Sequence, residues 1–130
     1  MVFTGCAFSV FKTTPGESRQ TQQQSKKEEK TVEKSKLSPR DIAALQLTEQ
    51  GQTFLKSQRP DDAIRILERA LNLNPDNGQN YYYLAEAWLM KGNIGQAEQF
   101  NRLAEIYLQD DAEWFQKVIL QKKRIAEKGH

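Results

Sequence analysis

The sequence has little of what catalytic and metal centres are commonly built from. It holds one cysteine, Cys6, and one histidine, His130, among 130 residues. A single thiol excludes an intrachain disulfide framework and a zinc site made of several cysteines. His130 stands at the terminus, which is a poor support for acid–base catalysis. We therefore predict no catalytic residues, no metal site and no cofactor.

Long apolar runs and a strong excess of one charge are also missing. Hydrophobic residues make up 38% of the sequence and the formal net charge is +2. Residues 1–40 carry eight lysines and arginines against four glutamates, whereas residues 41–130 carry eleven against thirteen acidic residues. A slightly negative domain is a poor match for a phosphate backbone, so we predict no nucleic-acid partner. The basic run Lys122-Lys123-Arg124 is typical of a solvated helix face.

Two segments without helical signals precede the apolar periodicity. Residues 1–11 form a short apolar segment, too short to cross a bilayer. Residues 12–36 are polar, with Val32 as the one aliphatic or aromatic side chain. Such a segment cannot bury enough apolar surface to offset the entropy of ordering, so we predict a disordered polar linker.

The residues Phe3-Thr4-Gly5-Cys6 resemble the end of a bacterial lipobox, in which a lipidated cysteine follows a small residue and glycine. The resemblance implies lipidation of Cys6 and a membrane-anchored protein of the bacterial envelope that faces the periplasm. A secretory signal needs an apolar stretch longer than the five residues before Cys6, so this prediction depends on a start upstream of Met1.

From residue 37 onward the pattern predicts an all-α domain. Ser38 is placed to cap a helix that begins at Pro39, and Asp110 to cap the last helix, with Glu113 completing a capping box. No segment shows the alternation of a half-buried strand. The predicted helices cover about residues 39–57, 61–73, 79–91, 94–108 and 111–128.

Distinctive residues of this domain recur at a spacing of 34. Phe54 falls on Trp88, and Ala63 falls on Ala97. The full pattern, at seven positions in the first copy and six in the second, resembles the tetratricopeptide repeat. The matching positions are Leu47, Gly51, Phe54, Ala63, Leu67, Ala70 and Pro75, followed by Tyr81, Leu84, Ala85, Trp88, Ala97 and Ala104.

The resemblance implies antiparallel helical hairpins stacked as a short right-handed solenoid of about five helices. Its repeats are expected at about 44–77 and 78–111, within a domain of residues 37–130. The second copy departs from the pattern at Asn101, where a large apolar residue is expected. Two hairpins leave an apolar side open, and the last helix, at about 111–128, is predicted to cap it.

In this family the first helix of each hairpin lines a concave groove that binds a protein or peptide. Transfer by position assigns the groove to Thr48, Gln52, Leu55, Tyr82, Tyr83, Glu86, Leu89 and Met90. We predict that Tyr82 and Tyr83 either anchor a partner or, in one case, merely pack against the last helix. Trp114 fits best as a packing residue, with an exposed self-association patch as the alternative.

The resemblance implies a protein–protein interaction module, an adaptor or scaffold that assists assembly of a larger complex. Relatives that clamp carboxylate tails of heat-shock chaperones use Lys, Asn and Arg at positions held here by Thr48, Gln52 and Tyr83, so a different partner is expected. Two alternatives remain open. One is a soluble cytosolic adaptor with the same groove and no anchor, and the other is a self-assembling structural subunit.

Overall fold

Five α-helices make up the part of the chain that the structure describes. The structure is a computed structural model that describes residues 37–129, so Cys6, the segment 1–11, the linker 12–36 and His130 lie outside it. The helices are α1 (Pro39–Lys56), α2 (Pro60–Leu73), α3 (Gly78–Met90), α4 (Ile94–Leu108) and α5 (Ala112–Lys128). No strand occurs within residues 37–129. The predicted all-α fold of about five helices is confirmed.

Three helices, α3, α4 and α5, begin where a short polar side chain binds a free backbone N–H group. The Asn77 side chain accepts a hydrogen bond from the Gln79 N–H at 3.0 Å, and the Asn93 side chain accepts one from the Gln96 N–H at 3.1 Å. Such caps satisfy donors that have no partner within the first turn of a helix. Both helices of the second hairpin, α3 and α4, therefore begin at asparagine caps.

The predicted cap of α5 is wrong by one residue. Asp111, not Asp110, is the N-cap, and its carboxylate accepts a hydrogen bond from the Trp114 N–H at 3.2 Å. Asp111 has the extended backbone, with φ −107° and ψ 102°, that an N-cap requires. Glu113 therefore lies one position too early in the helix for the expected capping box. Two adjacent aspartates offer the same chemistry, and the backbone decides between them.

Neighbouring helices pack as antiparallel hairpins, α1 with α2 and α3 with α4, and α5 then packs on α4. The five alanines that the repeat pattern places between helices are completely buried: Ala63, Ala70, Ala85, Ala97 and Ala104. Small side chains at these positions let the helix axes approach closely. The packing is that of a small helical-repeat solenoid.

Gly51 shows how close this approach is. A Cβ atom at Gly51 would lie 2.5 Å from Cδ2 and 2.6 Å from Cγ of Leu67 on α2. Leu67 is fully buried. The absence of a side chain at position 51 is therefore what allows α1 and α2 to pack at their observed separation.

Phe54 and Trp88 border the same apolar core, which joins the first hairpin to α3. Both are partly buried against a cluster that includes Leu55, Leu67 and Leu84. A cationic side chain also lies over each ring. The Arg59 guanidinium lies 5.1 Å from the centre of the Phe54 ring, and the Lys91 ammonium lies 5.4 Å from the centre of the Trp88 ring. The repeat-related aromatic residues thus have related surroundings, as the 34-residue spacing predicts.

The last helix combines buried and solvated faces as predicted for a capping helix. Val118 and Ile125 are buried, whereas Lys122, Lys123 and Lys128 are exposed. None of the helices within residues 37–129 has the length and apolar character needed to cross a lipid bilayer.

Candidate functional site

A groove runs across the first helix of each hairpin and the last helix. Its volume is about 450 Å³, and α1, α3 and α5 each contribute side chains to it. The lining residues are Gln52, Leu55, Lys56, Tyr82, Tyr83, Glu86, Met90, Trp114 and Lys117. Below, the α1–α3–α5 groove refers to these nine residues.

Most of the residues that the sequence assigned to a groove lie together in it. Six of the eight line it: Gln52, Leu55, Tyr82, Tyr83, Glu86 and Met90. Leu89 is half-buried and does not line the groove. Position in the repeat therefore brings the expected side chains to one surface, although their role in binding stays a prediction.

Thr48 is held inside the domain. It is 2% exposed, and its hydroxyl lies 3.0 Å from the Ala44 carbonyl oxygen and 2.5 Å from Oδ1 of Asn80. Asn80 on α3 is itself fully buried, so the contact ties α1 to α3. A side chain that is already bonded and inaccessible cannot contact a partner, and we leave Thr48 out of the proposed binding set.

Three aromatic rings form one wall of the groove. The Trp114 ring lies edge-on to Tyr82 and Tyr83, with centroid distances of 5.4 Å and 5.8 Å. Tyr82 and Tyr83 also meet edge to face at 5.5 Å. Edge-to-face contacts of this kind fix the orientation of each ring. Both tyrosines thus pack against α5 while they line the groove, and their role as partner anchors stays a prediction.

Tyr81, the first of the three consecutive tyrosines, has a structural role. It is 8% exposed, and its hydroxyl donates a hydrogen bond to the Pro75 carbonyl at 2.7 Å. Its burial agrees with its place among the residues that match the repeat pattern.

The hydroxyls of Tyr82 and Tyr83 remain protonated near neutral pH. Burial raises the pKa of both phenols above the usual value, and the nearby Glu86 carboxylate raises that of Tyr82 further. Neutral phenols can donate hydrogen bonds, so both rings offer an apolar face with a polar edge.

Glu86 supplies the one carboxylate among the nine groove residues, and two side chains of α5 already bind it. Glu86 forms an ion pair with Arg124 on α5, and its Oε2 accepts a hydrogen bond from Nε2 of Gln121 at 2.8 Å. The hydrogen bond that Arg124 donates to Glu86 raises the pKa of the Arg124 guanidinium. The negative charge of Glu86 is therefore balanced by the positive charge of Arg124, which does not line the groove.

Gln121 connects the groove to the α4–α5 interface. Its Nε2 also donates to the Tyr82 carbonyl at 3.0 Å, and its Oε1 accepts from Nδ2 of Asn101 at 2.9 Å. The same Asn101 nitrogen donates to the Val118 carbonyl at 3.0 Å. Asn101 departs from the apolar residue of the family pattern because a buried hydrogen-bond network takes its place.

The sequence prediction missed three residues of the groove: Lys56, Trp114 and Lys117. Two of them carry a positional signal. Lys56 lies 34 residues before Met90, and Lys117 lies 34 residues after Tyr83. Both lysines therefore occupy repeat positions equivalent to those of predicted groove residues. Trp114 lies 34 residues after Asn80, which is buried, so its repeat position does not predict a groove residue. Only the packing of α5 shows that Trp114 lines the groove.

Within residues 37–129, no three His, Cys, Asp or Glu side chains are placed to hold a metal ion. The charged residues at the helix starts have structural partners instead. Asp62, near the start of α2, pairs with Arg59 at 2.6 Å and with Arg65, and the bond to Arg65 lowers the pKa of its carboxyl.

Comparison with models of known protein families gives a match. The family model of the tetratricopeptide repeat matches residues 54–118, half of the chain. No curated protein matches the sequence.

Proposed function

Because the chain belongs to the tetratricopeptide repeat family, we propose that it is a protein–protein interaction module that holds a segment of a partner in the α1–α3–α5 groove. The observation that supports this site is the aromatic wall of Tyr82, Tyr83 and Trp114, with Met90 41% exposed beside it. Half-buried aromatic rings anchor partners at a low entropic cost, because few rotamers are lost on binding. Repeats of this family commonly bind proteins or peptides and are generally not catalytic, so the proposal includes no reaction.

The groove proposal is tested by removing its two tyrosine rings. The Tyr82→Ala/Tyr83→Ala variant should retain its helical circular dichroism but lose the partner proteins that the wild-type chain captures from its own cell extract. Leu45→Ala/Leu120→Ala is the control, since it removes two exposed apolar side chains, from α1 and α5, that do not line the groove. Unchanged capture by the double variant would contradict the proposed site.

We also propose that the module is tethered to a bacterial envelope membrane, where it recruits a partner during assembly of a larger complex. This proposal is supported by the lipobox-like residues that end at Cys6, which lie outside the described part of the chain. Mass spectrometry of the membrane fraction tests it: a diacylglycerol adduct on Cys6 is expected. A chain with intact Met1 that is recovered from the cytosol would instead support the soluble cytosolic adaptor.

Self-assembly is the second candidate, and exposed apolar residues on α4 favour it. Leu103, Ile106 and Tyr107 are 36%, 59% and 43% exposed and lie within two turns of one helix. Exposed apolar patches commonly mark association surfaces. Light scattering over a concentration series tests this candidate: a mass that rises with concentration, and that Ile106→Lys returns to the monomer value, is expected for a self-assembling subunit.

A further inference from the structure

We propose that the α1–α3–α5 groove selects partner segments in which aspartate or glutamate side chains stand beside a large apolar side chain. This inference rests on the proposed function and specifies the chemistry of the partner. It is argued from the charges and rings that line the groove, one group at a time.

Two lysines give the groove a positive charge that no carboxylate of the domain neutralises. The five ion pairs within residues 37–129 involve Arg59, Arg65, Lys91, Lys122 and Arg124. Lys56 and Lys117 line the groove and belong to none of them. Each is exposed, so each ammonium can meet a carboxylate of a partner without a large desolvation cost.

The Lys117 ammonium lies over one ring of the aromatic wall. Its Nζ lies 4.3 Å from the centre of the Trp114 ring, a cation–π distance. An ammonium held in this way loses less side-chain entropy when it binds an anion. Lys117 therefore offers a preorganised positive charge next to an apolar surface.

Glu86 does not repel an acidic partner, because Arg124 and Gln121 already bind its carboxylate. The groove thus contrasts with its domain, in which acidic residues outnumber basic ones over residues 41–130. A local positive charge on a slightly negative domain favours acidic ligands and steers them to this surface.

The apolar half of the partner motif follows from the wall of the groove. Tyr82, Tyr83 and Trp114 present ring surface beside the 41% exposed Met90. A leucine, phenylalanine or tryptophan of the partner can cover these rings, while its acidic neighbours reach Lys56 and Lys117. The tyrosine hydroxyls are protonated at neutral pH and can donate to the same carboxylates.

The test is selection of peptides from a random dodecamer library by mRNA display on the immobilised full-length chain. Peptides that bind the wild type but not the Tyr82→Ala/Tyr83→Ala variant are retained and sequenced. We expect them to be enriched in Asp or Glu next to Leu, Phe or Trp. If such tyrosine-dependent peptides are neutral or basic, the inference is overturned while the groove function stands. If no peptide depends on the tyrosines, the proposed function fails, and the inference fails with it.

A selected peptide is then titrated by fluorescence anisotropy against charge variants. Lys56→Gln/Lys117→Gln should weaken binding about five- to tenfold, because two partly screened ion pairs are lost. The matched control, Lys123→Gln/Lys128→Gln, removes the same charge from exposed positions of α5 outside the groove and should change affinity less than about twofold. Equal losses in both variants would mean that only the net charge matters and would overturn the inference.

One more pair of peptides tests whether the carboxylates that bind belong to side chains or to the C-terminus of the peptide. The selected sequence is made with a free and with an amidated C-terminus. We expect equal affinity, since the inference assigns recognition to side chains. Loss of binding on amidation would assign it to a chain terminus and contradict the inference.

Discussion

Asn101 on α4 and Gln121 on α5 share a hydrogen bond of 2.9 Å in the interior, where the two side chains are 2% and 0% exposed. The last helix is thus held to the second hairpin by a buried polar contact as well as by apolar packing. Buried hydrogen bonds fix one relative position of two helices, because a shift would leave donors and acceptors without partners.

Asn101→Leu should destabilise the domain although it restores the apolar residue of the family pattern. The change leaves Oε1 of the buried Gln121 without its donor, at a cost of about 1–3 kcal/mol in the free energy of unfolding. Urea denaturation measures this loss. The same substitution at the exposed Asn72 of α2 is the control and should change stability by less than about 0.5 kcal/mol.

The two network residues should also show coupling. Gln121→Met removes the amide but keeps the length of the side chain, so Asn101→Leu/Gln121→Met leaves no orphaned group at their contact. We expect the double variant to lose about 1 kcal/mol less than the sum of the single losses. Additive losses would show that the bond does not hold α5 to α4.

Gly51→Ala should destabilise the domain despite the higher helix propensity of alanine. The new Cβ would lie 2.5 Å from Cδ2 of Leu67, which is fully buried and has no room to move. Overpacking of this kind costs about 1–3 kcal/mol. The control is Gly95→Ala in α4, where the nearest atom, Oδ1 of Asn93, is 3.9 Å away. Thermal unfolding should show a gain of up to about 1 kcal/mol for the control; a gain at Gly51 as well would contradict the close packing.

The two hairpin turns use the same left-handed backbone with different residues. Gln58 has φ +60° and Gly92, 34 residues later, has φ +80°. A side chain at such a φ carries a steric cost that glycine avoids. Gln58→Gly should therefore raise stability by about 0.5 kcal/mol, and Gly92→Ala should lower it by about 1 kcal/mol. No atom lies within 4 Å of a Cβ at Gly92, so a neutral result there would show that φ alone has no cost.

Alkaline pH should weaken the domain through its tyrosines. Burial raises the pKa of Tyr81, Tyr82 and Tyr83 in the folded state, so the unfolded chain loses these protons first. The stabilisation is complete below the unfolded pKa of about 10 and is lost as the pH rises through the folded values. Phenolate absorbance measures the titration. Tyr82→Phe/Tyr83→Phe should remove two of the phenol titrations that occur above the ordinary tyrosine pKa. An unchanged titration curve would contradict the assignment of these titrations to Tyr82 and Tyr83.

Much of the fold could be predicted because its signals are local or periodic. Prolines, asparagines and glycines mark the helix ends, and the observed bounds lie within one residue of the expected ones. The spacing of 34 identifies the positions that must be small, such as Gly51 and Ala85, since only close helix packing explains small residues there. Where two adjacent residues could serve equally, as Asp110 and Asp111 do, the sequence does not decide.

The candidate site was predictable only in part. The position of a residue in the repeat predicts which side of its helix it lies on, but not whether its side chain is accessible. It brought Tyr82, Tyr83 and Glu86 to the groove, yet it also assigned Thr48, which a bond to Asn80 holds inside. The roles of Gln121 and Trp114 depend on how α5 lies across α3. That arrangement is set by contacts between residues some 35 positions apart, which no local pattern encodes.

The helix that closes the stack also supplies one side of the groove, through Trp114 and Lys117. A chain shortened to end at Asp111 would lose both side chains and present an open ledge instead of a cleft. Exchanging α5 for the equivalent helix of another repeat protein would therefore change the side chains that line the groove, so this helix is the segment to vary when the groove is redesigned.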